Sequence, residues 1–289
     1  MTPEDHNLAL DGEGRTLHLV EAGAGQTFVL IHGALTTHTD WLGTLFDGFA
    51  SRGRAIALDR PGHGASRRPR YQASPLQQAD QIREGLRQLG VERPILVGHS
   101  FGGIVALAWA AAYPDEVAGL VLAAPIAFQE FRFLEHPFFG PRALPLIGPW
   151  LSEAARISLD PMLLKLAHKI MFAPHLPPPD WLARYPYARI LTAAQMLEEG
   201  EDANSVFPGS PTSLIDYRAI RAPTRILAGE MDQVVYPVRH AKRLAAILPD
   251  AELTVRLDVG HMLHHTASDG LFQIIDDLMR SSVTGPAAA

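Results

Sequence analysis

PILVGHSFGGIVALAWAAAY, residues 94–113, is the stretch whose reading decides the fold. Ile95, Leu96 and Val97 are a short apolar, β-branched run that reads as a buried strand. Gly98, Ser100 and Gly102 punctuate a turn, and from Ile104 onward the Ala-rich apolar pattern reads as a helix buried on most sides. A serine on a sharp strand-to-helix turn sits in a strained backbone conformation with its hydroxyl directed away from the sheet. Glycines two positions to either side are required there, because a side chain would collide with the neighbouring strand or helix. The amide of Phe101 stands at the start of the following helix, where free N–H groups can receive an oxyanion. A bare G-x-S-x-G arises by chance in roughly one chain of this size in ten. The strand before and the helix after are therefore what make Ser100 a candidate nucleophile.

Composition narrows the class. A chain of 289 residues with 47% hydrophobic and 19% charged residues can bury a large core, as one α/β domain or two smaller ones. The net charge of −6 gives no support for nucleic-acid or anionic-membrane binding. With no cysteine, disulfides and thiolate chemistry are excluded. The polar, acidic start MTPEDHNLALDGEG carries no secretory pattern, and no apolar run approaches about 20 residues, so a cytoplasmic location without membrane insertion is expected.

Working outward, residues 7–10 and 16–21 alternate across Asp11-Gly12-Glu13-Gly14 and predict an antiparallel hairpin. Residues 28–31, 55–58, 117–123, 224–228 and 253–257 are further apolar strands. Helices are predicted from Thr39 or Asp40, with Trp41, Leu42, Leu45, Phe46 and Phe49 on one face, and over 76–89, 237–248 and 271–279. Apolar strands alternating with helices imply an α/β fold, a mostly parallel sheet covered on both faces with the hairpin at one edge. The alternation stops at Pro125 and resumes at Pro223, and twelve of the 23 prolines fall between Pro137 and Pro211. Short helical patches at 161–171 and 188–199 predict a helical insertion. The expected organisation is a core of residues 1–125 and 213–283, an insertion at 126–212 after the sixth strand, and a frayed tail at 284–289.

These residues resemble the α/β-hydrolase fold family, in particular its capped serine-hydrolase members. Gly98-His99-Ser100-Phe101-Gly102-Gly103, His32-Gly33-Ala34, Asp59-x-x-Gly62-x-Gly64-x-Ser66, and the pair Gly229-x-x-Asp232 and Gly260-His261 carry the resemblance, over about residues 7–124 and 223–281. It implies the triad order Ser, acid, His. Asp232 follows a strand as the family's acid does, whereas Ala124-Pro125-Ile126 offers no carboxylate at the rival position. Glu230 and Asp258 are nearby competitors. His261 stands where the family's general base does. Ala34 is the implied second oxyanion donor beside Phe101, with Leu35 the alternative if the loop is wound one residue differently, and His32 would brace that loop. The turn at 59–66 reads as structural support. A metal site from His261, His264 and His265 lacks a His-Glu-x-x-His arrangement, so neither a metal nor a cofactor is expected.

Ser100 is not an aspartate, which disfavours dehalogenase and epoxide hydrolase chemistry. C–C hydrolases of this family usually carry an aromatic residue after the catalytic histidine, where this chain has Met262; they and the cofactor-free perhydrolases remain alternatives on the same triad. The run Phe128-x-x-Phe131-x-Phe133-Leu134 and the pair Phe138-Phe139 open the insertion. They either pack the cap or wall an apolar pocket, and Phe128, Phe131, Phe139 and Met262 are taken as substrate contacts. The expectation is hydrolysis of a small apolar carboxylic ester through an acyl-enzyme, with Ser100, His261 and Asp232 as triad. Its partners would be the ester and water, in a monomer or homodimer. A hydrolase-fold receptor with little turnover is the reading from a different class.

Overall fold

The computed structural model of the protein describes residues 3–12, 14–131, 135–190, 192–211 and 214–283. Glu13 of the hairpin turn, Phe133 and Leu134 of the aromatic run, the insertion boundary at Thr212 and the tail 284–289 lie outside them. Eight strands form one sheet: β1 (Glu4–Ala9), β2 (Thr16–Ala22), β3 (Thr27–Ile31), β4 (Arg54–Leu58), β5 (Ile95–His99), β6 (Gly119–Ala123), β7 (Thr224–Gly229) and β8 (Ala251–Arg256). Their order is β1-β2-β4-β3-β5-β6-β7-β8. Pairing is antiparallel at β1–β2 and β2–β4 and parallel from β4 to β8.

The inner strands read as unbroken apolar runs because both faces are covered. Val29, Ile31, Ile56, Leu58, Leu96, Leu120, Leu122 and Ile226 point to one core, which includes residues of helices α2 (Pro75–Gln88) and α3 (Phe101–Ala112). The alternate residues Phe28, Leu30, Ala55, Ala57, Ile95, Val97, Val121 and Leu227 point to the other. There α1 (Thr44–Ala50) and α12 (Ser268–Val283) close over them.

Some boundaries differ from expectation, each for a local reason. The helix expected from Thr39 or Asp40 is a single 3-10 turn over His38–Asp40, capped by Thr37, and α1 begins only after Gly43, whose φ of 77° interrupts it. Asp40 caps nothing. Its carboxylate accepts hydrogen bonds from Trp181 Nε1, His264 Nε2 and His265 Nε2 at 2.8, 3.0 and 2.8 Å. The helix expected over 237–248 starts with a π turn at Val238–Lys242 before α10 (Arg243–Ile247). The final helical region is longer than expected, with α11 (Leu263–Thr266) preceding α12.

Between β6 and β7 the described chain is helical: α4 (Glu135–Phe139), α5 (Gly148–Arg156), α6 (Asp160–Phe172), α7 (Pro179–Arg184), α8 (Tyr187–Ile190) and α9 (Ala193–Ser205). A third apolar cluster joins these helices to the sheet's carboxyl end through Leu164, Met171, Phe172, Trp181, Tyr185 and Met196 on one side and Leu35 and Met262 on the other. Beside it runs a seam of buried charge. The Arg60 guanidinium, wholly out of solvent, donates to Asp202 Oδ2 at 2.6 Å and Gln78 Oε1 at 2.8 Å. Arg68 meets Glu201 at 2.7 Å and Asp202 at 3.4 Å, and His63 Nε2 lies 3.3 Å from Asp202.

Removing one partner of such a seam leaves an unpaired buried charge, which costs about 3–5 kcal/mol. Asp202→Ala is expected to lower the unfolding free energy by that amount in urea titrations, while Arg60→Met combined with Asp202→Leu recovers most of it. A loss below about 1 kcal/mol for Asp202→Ala would show that water already reaches the seam.

Candidate active site

The cleft forms where the sheet's connections change direction. From β3 the chain crosses to β4 on one side and then to β5 on the other, so loops leaving the carboxyl ends of β3 and β5 diverge and open a crevice between them. The register Ile31↔Gly98 brings the two loops together. A Cβ on Gly33 would lie 3.1 Å from the Ser100 Cβ, so the His32-Gly33-Ala34 turn runs directly beside the serine.

Ser100 is the N-cap residue of α3 and has φ 53° and ψ −116°. Its amide donates to the Ala123 carbonyl at 3.0 Å, and its carbonyl accepts from the amides of Gly103 at 2.9 Å and Ile126 at 3.0 Å. Both flanking glycines are sterically demanded. A Cβ at Gly98 would meet the Gly102 carbonyl oxygen at 2.6 Å, and one at Gly102 would meet the Ile31 and His32 carbonyl oxygens at 2.2 and 2.7 Å. Among the described residues five non-glycine residues have positive φ; Leu35, Ser100 and Ala124 are three of them, and they follow the ends of β3, β5 and β6.

Asp232 and His261 form a buried pair, Nδ1 to Oδ2 at 2.8 Å. The other oxygen of Asp232 accepts from the amides of Val234 and Val235, at 2.8 Å each, so the carboxylate has one orientation available. The competitors Glu230 and Asp258 are exposed. With Nδ1 held as the N–H that faces a carboxylate, Nε2 of His261 carries the lone pair. Behind it, the His99 ring lies 4.8 Å from the His261 ring, and His99 Nε2 contacts the His261 carbonyl at 3.2 Å. Burial, helped by the neighbouring His264 and His261, pushes the His99 pKa well down, so it packs as a neutral ring that donates to that carbonyl.

His261 and Ser100 line one cleft together with Ala34, Leu35 and Phe101. The Phe101 amide is the first of α3 and has no partner within its helix. Leu35, the alternative donor, is engaged elsewhere: its amide donates to Glu199 Oε1 at 2.8 Å and its carbonyl accepts from the Tyr185 hydroxyl. Burial alone would raise the Glu199 pKa, but His63, Arg60 and that amide outweigh it and hold the carboxyl below its usual range. His32 braces the loop, accepting the Arg60 amide at Nε2 (3.0 Å) and donating from Nδ1 to the Gly33 carbonyl (2.8 Å). Burial lowers its pKa well below the usual value and keeps it neutral.

The remaining cleft wall is apolar and comes largely from the insertion: Phe138 and Phe139, then Leu163, Leu166, Ile170 and Met171 on one face of α6. Of the expected substrate contacts only Phe139 is in it. Phe128 is half-buried against the sheet core, on Tyr217 and under Arg243; Phe131 stacks on His136 and meets Phe207 edge-to-face at the surface; and Met262 is buried in the cluster under the insertion. The α6 contacts were readable as a 163, 166/167, 170 spacing on one helical face. Glu199 and Asp202, also in the wall, carry no such signal, because their partners Leu35, Arg60 and Arg68 lie more than 130 residues away. His261, His264 and His265 do not converge on a common point, since His261 faces Asp232 and the other two face Asp40.

An open, mostly parallel eight-stranded sheet with a serine elbow after β5 and a carboxylate–histidine pair after β7 and β8 defines an α/β-hydrolase. The chain belongs to the alpha/beta hydrolase family, whose model matches residues 28–274. An uncharacterized protein of Mycobacterium tuberculosis is 30% identical over 283 residues, covering 92% of this chain and 78% of the relative. A 2-hydroxy-6-oxononadienedioate/2-hydroxy-6-oxononatrienedioate hydrolase of Paraburkholderia phymatum is 26% identical, covering 94% of each chain. Among solved structures, an esterase from Exiguobacterium antarcticum superposes with a TM-score of 0.76 at 20% identity, over 96% of this chain and all of that one. At that identity the likeness is one of fold.

Gly→Ala inside a helix ordinarily stabilises by about 0.8–1 kcal/mol. At Gly102 the sign is expected to reverse: Gly102→Ala should destabilise by about 1–3 kcal/mol because two carbonyl oxygens block the methyl group. Chemical denaturation reads the sign directly, and a stabilised variant would mean that the elbow is wider than described.

Proposed function

We propose that the protein is a serine hydrolase that cleaves carboxylic esters with apolar acyl groups through an acyl-enzyme. The observation that carries this reading is the buried His261–Asp232 pair facing the same apolar cleft as the strained Ser100. Ser100 Oγ attacks the ester carbonyl while His261 Nε2 takes its proton, and Asp232 holds the Nδ1–H and stabilises the imidazolium. The amides of Ala34 and Phe101 receive the oxyanion as it forms. Collapse expels the alcohol, protonated by His261. A water deprotonated by the same nitrogen then releases the acid and restores the serine. The helical insertion, residues 126–212, acts as a cap that roofs the cleft.

Carbon–carbon bond hydrolysis is the second reading, since relatives at 26% and 27% identity carry the name of a dioate hydrolase. The cleft argues against a dianionic substrate. Its described lining includes two carboxylates, Glu199 and Asp202, and neither a lysine nor an arginine. Both carboxylates already engage the nearby Arg60, Arg68 and His63, so the described lining offers an anionic ligand no cation to pair with.

A fluorophosphonate probe is expected to label one site per chain, Ser100, and Ser100→Ala should reduce ester turnover at least about 10³-fold. Asp232→Asn should reduce it on the order of 10³–10⁴-fold with folding preserved, read by circular dichroism and steady-state kinetics. Labelling elsewhere with Ser100 untouched would refute the assignment.

Each methylene buried against the cleft wall contributes about 0.8 kcal/mol. Along a p-nitrophenyl ester series kcat/KM should therefore rise up to about fourfold per CH₂ until the cleft is full, then fall. A flat profile, or preference for a dioate over the neutral esters, would reject the apolar-acyl reading and leave the triad standing.

A further inference from the structure

The helices that roof the cleft are apolar on the outside as well. On the run into α5 and along α5 and α6, Leu146, Ile147, Trp150, Ile157, Met162 and Leu166 are all exposed. Leu146 is 86%, Trp150 79%, Ile157 72% and Met162 62% accessible. Their spacing is helical. Ile147, Trp150 and Leu151 share one face of α5, and Met162 and Leu166 share one face of α6. Isolated exposed apolar residues are ordinary, but a run of large ones across two neighbouring helices marks a surface that meets something.

Three features identify what it meets. The first is continuity with the cleft. Leu166 and Phe138 are each 40% exposed or more and also line the wall that reaches Ser100, so the outer apolar face is continuous with the cleft at these two residues. The second is charge. The chain has three lysines and a net charge of −6, yet two of the three, Lys165 and Lys169, stand exposed one turn apart on α6 with no ion pair among the described residues. The acids of these helices are engaged: Glu153 with Arg156, and Asp160 buried against Arg142. The third is tryptophan placement. Trp41, Trp109 and Trp181 are buried, whereas Trp150 stands out on α5, the helix that precedes the lysine-bearing α6. An apolar helical face with a tryptophan and flanking lysines is suited to an anionic lipid surface, where the stems of the lysines reach headgroup phosphates. A second copy of this chain fits less well, because a two-fold contact pairs this face with itself and brings two more lysines but only acids that are already engaged.

We propose that the outer face of α5 and α6 docks the protein on the surface of anionic lipid, placing the mouth of the cleft against the acyl chains. Docking is peripheral: among the described residues no helix is long and apolar enough to cross a membrane. That lipid acyl esters are what Ser100 then cleaves rests on the function proposed above; the docking itself does not.

The full chain is mixed with phosphatidylglycerol vesicles and, separately, with phosphatidylcholine vesicles. Trp150 serves as an intrinsic reporter because the other three tryptophans are already out of water. Expected are co-sedimentation and a blue shift with phosphatidylglycerol, at least about tenfold weaker with phosphatidylcholine or in high salt. Trp150→Asp combined with Ile157→Asp should abolish sedimentation, and Lys165→Glu with Lys169→Glu should weaken it at least about tenfold. Both double variants should keep the turnover of a short soluble ester, which controls for folding. Ser100→Ala should sediment like the parent, so loss of turnover and loss of docking are separate outcomes. The proposal is overturned if vesicles leave the spectrum unchanged, or if the Asp variant still sediments. It is equally overturned if sedimentation equilibrium shows a dimer that the Asp variant splits while neither form binds vesicles.

Discussion

The guanidinium of Arg60 has no contact with solvent, and much of the cleft is arranged around meeting its charge. It lies just beyond the carboxyl end of β4. Its amide is held by His32, one amino group donates to Asp202 of α9 and Gln78 of α2, and the other reaches the Gly33 carbonyl at 3.3 Å. Its plane faces the Phe101 ring, 4.6 Å from the centroid. One cation thus ties the loop after β3, the elbow after β5, a core helix and an insertion helix into one arrangement. Buried ion pairs contribute little net stability compared with apolar packing of the same volume. What the seam supplies is a single allowed position for α9, because any shift would strand a charge in a medium that cannot solvate it.

That constraint explains how backbone strain persists where it does. Leu35, Ser100 and Ala124 occupy left-handed conformations that a free chain would leave. Each is held by a hydrogen bond to a distant segment. The Leu35 amide is tied to Glu199, the Ser100 amide to Ala123, and the Ala124 amide to Leu227 at 2.8 Å. Strain at the ends of three adjacent parallel strands directs three loops toward one crevice instead of along their strands. The polar half of the cleft is therefore rigid before any ligand arrives.

The legible parts of this design were those written locally. Unbroken apolar runs flanked by glycine announced β3 to β7, because burial on both faces removes polar residues from a strand. Gly98 and Gly102 announced the elbow, because backbone contacts of 2.2 to 2.6 Å leave no room for a Cβ. The Gly229-x-x-Asp232 turn and Gly260-His261 were readable for a similar reason, as tight turns after strands, and the structure brings their side chains to 2.8 Å. What escaped was pairing over long separations. Nothing near Glu198-Glu199-Gly200-Glu201-Asp202 says that those acids face Arg60 and Arg68, and a cluster of this kind reads equally well as a solvated helix face. Phe128 and Phe139 likewise look alike in sequence, yet Arg243 and Tyr217 hold the first against the core while the second turns to the cleft. The break at Gly43 was missed because amphipathic spacing continued through it.

The two halves of the cleft answer to different physics, which bears on how selectivity can change in such a molecule. The polar half is fixed by directional hydrogen bonds and charges with one satisfactory geometry. The apolar half is built from Leu163, Leu166, Ile170 and Met171, side chains with several rotamers and no directional demands. Besides the seam and the apolar cluster, the insertion is tied to the core by the Met262 amide on the Met171 carbonyl at 3.2 Å and by the Leu35 contacts with Glu199 and Tyr185. α6 lies between these ties with one face on the cleft and another on solvent. Substitutions along α6 can therefore reshape the apolar wall or its outer surface without disturbing the strained loops. Substitutions in the seam cannot, since its ion pairs run between Arg60, His63 and Arg68 of the core and Glu201 and Asp202 of the insertion. Selectivity can then vary through α6 while the polar half, fixed by Arg60 and the strained turns, stays the same.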